Sequence, residues 1–145
     1  MERDRTSVDV ALLGIRVVLG IIFMAHGAQK LFGAFGGPGL AGIVGMLGPV
    51  GYLVAVGEFF GGLGMLVGFL VRFSAASNAL IMLGAIALVH GRNGFFLANQ
   101  GFEYNLALLG LLLPLVLAGS GRFSLGRWLP LPRSAGGDRP APWIE

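Results

Sequence analysis

The sequence predicts an all-α integral membrane protein: a four-helix bundle with a short interfacial or re-entrant helix between its first and second spans. Three observations carry this. Of the 145 residues, 55% are hydrophobic and only 12% charged, which leaves too little polar surface to cover a soluble core of this size. The apolar residues gather into four runs of membrane-crossing length, bounded by charges, glycines or prolines. Glycine occurs 26 times, far above the usual share of about 7% and without the collagen triplet. Close approach of helix backbones explains that excess.

The first run, Val10 to Phe32, spans about 34 Å as a helix, against a hydrocarbon core of about 30 Å. A cleaved leader is the competing reading, since Arg3 and Arg5 precede the run and Ala25-His26-Gly27 offers small residues. Arg16 interrupts the apolar region such a leader needs, so the run reads as a retained span. Residues 33–48 hold seven glycines and Pro38, with Leu40, Ile43, Val44 and Leu47 at i, i+3, i+4 and i+7; this predicts a loop and then a short helix. The second span, 50–71, starts after Pro49 and contains one charge, Glu58. Arg72 closes it, and the third span, 73–90, follows at once, so the two form a tight antiparallel hairpin. A loop from Gly91 to Gly101 leads to the fourth span, 102–119, where Pro114 is expected to kink the helix. These spans make a membrane domain over residues 1–121. Residues 122–145 read as a basic, Pro/Gly-rich, irregular tail with Trp128 as a headgroup anchor.

The net charge is +3 and the pI about 10.2, yet no basic block is interleaved with aromatics, so no nucleic-acid partner is expected. Arg3, Arg5, Arg72, Arg122, Arg127, Arg133 and Arg139 fall on one side of the predicted spans, and Lys30 and Arg92 on the other. The positive-inside rule then places both termini in the cytoplasm. The absence of cysteine excludes disulfides, thiolate metal sites and thiol redox chemistry within the chain. No metal site is expected, and a redox role would have to borrow a cofactor.

Polar residues inside apolar runs are the informative ones, because an ionisable group at mid-bilayer costs about 2.5–3.5 kcal/mol on insertion scales. In span one, Arg16, Gly20, Phe23, Gly27 and Lys30 fall on one face that must meet protein, with His26 one turn before Lys30. In span two, Gly57, Gly61, Gly64 and Gly68 form a small-residue ridge bordered by Glu58. As straight helices, the spans place Glu58 about 4 Å, His26 about 7 Å and Lys30 about 13 Å above the midplane, and Arg16 about 7 Å below it. Glu58 can then meet His26 directly, and Lys30 or Arg16 through their long side chains. His90 and Glu103, at the facing ends of spans three and four, complete a set that can converge in the outer half. Such a pocket suits a quinone-like or small oxyanion head group and the movement of protons to it. The competing reading is a neutralising ion pair of Glu58 with Arg16 or Lys30 that fixes helix register, with His90 and Glu103 as solvated loop-end residues. A haem bridging His26 and His90 is disfavoured, since their depths differ and no motif supports it.

These residues resemble the DoxX family of small four-helix membrane proteins, related to the DoxD subunit of thiosulfate:quinone oxidoreductase. The resemblance lies in Arg16 followed by Phe23-Met-Ala-His26-Gly27-Ala-Gln-Lys30-Leu-Phe32. It continues in Gly57-Glu58-Phe-Phe-Gly61-Gly62 with Gly68 and Arg72, then in His90, Gly94-Phe-Phe96 and Gly101-Phe-Glu103-Tyr104-Asn105, and covers about 110 residues. It implies a cytoplasmic-membrane protein that serves as a subunit or accessory of a redox or detoxification assembly. The family tends toward Gly-x-Gly-Arg-x-Ser-Leu-Asp after span four, where this chain reads Gly119-Ser-Gly-Arg-Phe-Ser-Leu-Gly126; the terminal acid is missing. The expectation is therefore a component of a membrane oxidoreductase system, with quinone as a possible cofactor and a redox protein or a second copy as possible partner. A non-enzymatic scaffold and a small-solute carrier are the alternatives; a carrier this small, without inverted repeats, would have to oligomerise.

Overall fold

The computed structural model describes residues 2–127, with side chains over 4–126. Five helices follow one another: α1 (Glu2–Phe32), α2 (Gly39–Leu47), α3 (Val50–Val67), α4 (Val71–Ala85) and α5 (Glu103–Ala118). A wide helical turn, Ile86–His90, and a tight one, Gly91–Asn93, extend the path of α4. The helical stretches Asp4–Phe32, Val50–Val67 and Val71–Asn93 are long and apolar enough to cross a membrane, while α5 is shorter, at 16 residues. The chain is thus an all-α membrane bundle of four main helices, with the short α2 between the first and second.

The helices form a ring in which α1 packs on α3, α3 on α4, and α4 on α5, and α5 closes against α1; α2 lies against α1 and α3. Phe23, Leu19, Met65, Leu112, Leu115 and Val71 fill the centre. The outside is as apolar as the inside: Leu53, Phe60, Phe73, Leu80, Leu113 and Leu117 are all more than half exposed, which suits a lipid solvent and no other.

Glycine sets the α1–α3 distance. A Cβ on Gly62 would come within 2.5 Å of the Met24 backbone nitrogen, one on Gly20 within 2.8 Å of Leu66, and one on Gly27 would collide with the backbone of Phe59. These pairs form an antiparallel ladder along the seam, so the stripe of α1 predicted to face protein faces α3. Gly57, Gly61 and Gly64 look the other way, toward Ile81, Asn78 and Ser74 of α4. Gly68 leaves that ridge. It ends α3 in the left-handed region, at φ 78°, where its own N–H and that of Phe69 both bond the Gly64 carbonyl. The break between the second and third main helices therefore falls at residues 68–70, before the predicted boundary at 71–72.

α1 also starts earlier than its apolar run, because its first two turns have polar work to do. Asp9 accepts a bond from the Arg122 backbone N–H at 3.0 Å, and Thr6 from the Arg122 side chain at 3.3 Å. Residues 122–126, assigned to the tail on sequence, are thereby fastened to the bundle: Ser124 and Gly126 are buried, and the Gly126 N–H bonds the Gly68 carbonyl. The rest of the tail, with Trp128, Arg133 and Arg139, lies outside the described residues. α5 runs through Pro114 without a break in its helical assignment.

Candidate functional site

At the end away from the start of α1, the glycine ladder of α1 and α3 finishes in a charged rung. With Gly27 against Phe59, the next turn of α1 brings Lys30 beside Glu58, and Nζ lies 2.5 Å from Oε2. The side chains are 18% and 5% exposed, so the carboxylate is inside the bundle and the ammonium reaches it from the edge. On the α4 side, the Asn78 side chain is fully buried; its Nδ2 donates to the Ser74 carbonyl at 3.0 Å and to that of Gly57 at 3.5 Å. Its Oδ1 has no hydrogen-bond partner among the described residues, leaving an acceptor open beside the turn that carries Glu58. A buried acceptor of this kind is where a water or a ligand donor is expected.

Arg16 does not take part. It is 2% exposed and lies against Gly68, ten residues from Glu58 along α3, or about 15 Å. That gap is beyond side-chain reach, so of the two cations expected as alternatives for Glu58 it is Lys30 and not Arg16 that meets it. Its guanidinium instead donates to the carbonyls of Phe123 at 2.5 Å and Ser120 at 3.5 Å, just past the C-terminal end of α5. Those carbonyls lie at the negative end of the α5 dipole, which supplies part of the missing counter-charge.

The outer set is only partly assembled. His26 stands one turn before Lys30 but off the ladder, exposed, with its ring 6.4 Å from that of Tyr104. It therefore faces the seam between α1 and α5. Glu103 sits in the first turn of α5 beside Tyr104, half-buried, its carboxylate without a hydrogen bond or ion pair among the described residues. His90 pairs within its own loop: its Nδ1–H donates to the Gln100 carbonyl at 2.8 Å and secures the 91–101 loop. The structure thus couples Lys30 with Glu58, and His26 with Tyr104, and gives His90 a loop-holding role.

Sequence reasoning quoted Tyr104 only within the family motif and missed Asn78 and the Ser120 and Phe123 carbonyls. Asn78 carried a signal, an amide in the middle of an otherwise apolar span. The carbonyls carried none, since any residue supplies one.

An apolar bundle that carries a carboxylate–ammonium pair between two of its helices defines an integral membrane protein with a charged pair at one end of an apolar core. The DoxX family profile matches residues 11–91, and the chain belongs to the DoxX family. It is 33% identical over 109 residues to a protein of Bacillus subtilis (strain 168) named "Putative oxidoreductase CatD", covering 75% of this chain and 81% of that one. It is also 33% identical over 121 residues to "Inner membrane protein YqjF" of Escherichia coli (strain K12), covering 83% and 93%. No solved structure matches it significantly.

Proposed function

We propose that this chain is the membrane-embedded subunit or accessory of an oxidoreductase system, with a polar site in its outer half that binds a quinone-like or small oxyanion head group. The single observation that carries this reading is Glu58: a carboxylate 4% exposed inside an apolar helix, held by Lys30 from the neighbouring helix. Ionisable groups at such depth are expensive and mark ligand or proton pathways. His26 and Tyr104 at the α1–α5 seam and the free Asn78 oxygen provide further groups able to exchange protons or accept hydrogen bonds. The oxidoreductase name of the Bacillus relative supports the same class. In this reading both termini are cytoplasmic, because the basic residues gather at the end of the bundle that holds Arg72 and Arg122.

A second reading, a non-enzymatic scaffold, is favoured by the position of the pair at the end of the glycine ladder, where a neutral rung fixes the register of α1 on α3. Thermal unfolding of the purified protein in detergent, against short-chain quinones and sulfur oxyanions, separates the two. A ligand at one hundred times its Kd stabilises by about 2.7 kcal/mol. The site reading expects that response in the wild type and its loss in a folded Glu58→Gln variant. A panel without response supports the scaffold.

A further inference from the structure

α5 is too short for its task. Its 16 residues rise about 24 Å, roughly 6 Å less than the hydrocarbon core. At its inner end Arg16 satisfies carbonyls beyond the last turn. At its outer end the chain folds residues 94–102 back over the helix start as a loop. Its backbone is tied to itself: Phe102 N–H to the Gly94 carbonyl at 3.1 Å, Glu103 to Phe95 at 2.8 Å, Gly101 to Phe96 at 3.0 Å and Gln100 to Leu97 at 2.8 Å. The Gln100 carbonyl, which points out of this ring, takes His90 Nδ1–H and Asn93 Nδ2. Gly101 is buried against Gly94 and Phe95, where any Cβ would collide, so the ring closes tightly.

No charged residue stands between Arg92 and Glu103. The tip presents Phe95, Phe96 and Leu97 at 46%, 65% and 53% exposure, and it continues the outward apolar faces of Leu88 before it and Leu106 after it. Non-helical backbone is tolerated at membrane depth only when its polar groups are satisfied by protein, and aromatic side chains settle at the headgroup boundary.

We infer that the loop 94–102 is a membrane-seated cap: its Phe95-Phe96-Leu97 tip lies among the headgroups and upper acyl chains of the leaflet opposite the termini, making up the length that α5 lacks. The occupant of this surface is lipid. The short helix accounts for the need, since a span below the local thickness must thin the bilayer or extend its apolar length by other means. The bonds across the base of the loop satisfy part of its backbone, and at headgroup depth the remaining tip groups still meet polar partners.

A single-tryptophan protein tests this directly. With Trp128→Phe and Trp143→Phe removing the two native tryptophans, Phe96→Trp is reconstituted into phosphatidylcholine vesicles. Fluorescence is then read with lipids brominated near the headgroup end or near the terminus of the acyl chain, and with iodide in the water. The expected result is strong quenching by the shallow bromines, weaker quenching by the deep ones, and iodide quenching severalfold below that of free tryptophan amide. Full iodide quenching without a bromine effect overturns the inference, because the loop is then in water. Protection from both also overturns it, because protein then covers the tip. Leu97→Trp, in the same background, gives the same reading if Phe96→Trp fails to fold.

Discussion

Arg16 and Lys30 are two cations on one face of one helix, about four turns apart, and they are neutralised in opposite ways. Lys30 reaches a carboxylate, Glu58, on the neighbouring helix. Arg16 meets no carboxylate at ion-pair distance among the described residues, and its fork takes the carbonyls of Ser120 and Phe123 instead. The difference follows from what each head group can do: a planar guanidinium satisfies several oxygens at once, whereas an ammonium acts as a point charge. It also separates two places. The end of the bundle near Arg72 and Arg122 is a clasp that holds residues 119–126 to the bundle, and the far end carries the charge pair.

The largest effect is expected where one member of the pair is left behind in a dry place. Lys30→Met strands the Glu58 carboxylate at 4% exposure and should lower stability by about 3–5 kcal/mol, read as a fall in unfolding midpoint in detergent. Glu58→Gln should cost far less, about 1 kcal/mol, because the Lys30 head lies at the edge and can turn toward the headgroups. Equal losses in the two variants would show that both charges are equally enclosed.

Arg16→Lys tests the clasp. The charge is kept but the fork is lost, so one of two charge-assisted bonds disappears, at a cost of about 1.5–3 kcal/mol. Trypsin should then cut after the exposed Arg122 faster than in the wild type, since the 119–126 segment is held less firmly. An unchanged cleavage rate would mean that Asp9 and Thr6 hold it without help.

The seam between the two cations comes next. Gly62→Ala forces a methyl into the Met24 backbone and should destabilise by about 1–3 kcal/mol. The smallest effect, of opposite sign, is expected at Gly14, where a Cβ meets nothing within 4 Å. Gly14→Ala gains helix propensity and should stabilise by up to about 1 kcal/mol. The paired measurement asks whether glycine in this chain serves packing position by position, and similar effects at both sites would say that it does not.

Much of this organisation was open to sequence reasoning. The four apolar runs, the amphipathic pattern of α2 and the face of α1 shared by Arg16, Gly20, Phe23, Gly27 and Lys30 all follow from periodicity, because lipid and helix geometry each impose one rule on every residue. Chain order also determined that Glu58 is the carboxylate deep in a span. Tertiary structure alone decided its partner. Lys30 and Arg16 occupy the same stripe, and depth estimates left both within reach; the register of α1 on α3, set by which glycine meets which backbone, put Lys30 on Glu58 and Arg16 on Gly68. The same holds for His26, which is one turn from Lys30 in sequence but faces α5. Packing also corrected the reading of residues 122–126: they read as tail, yet they fold onto the bundle because a buried guanidinium needs oxygens, and backbone carbonyls leave no mark in a sequence.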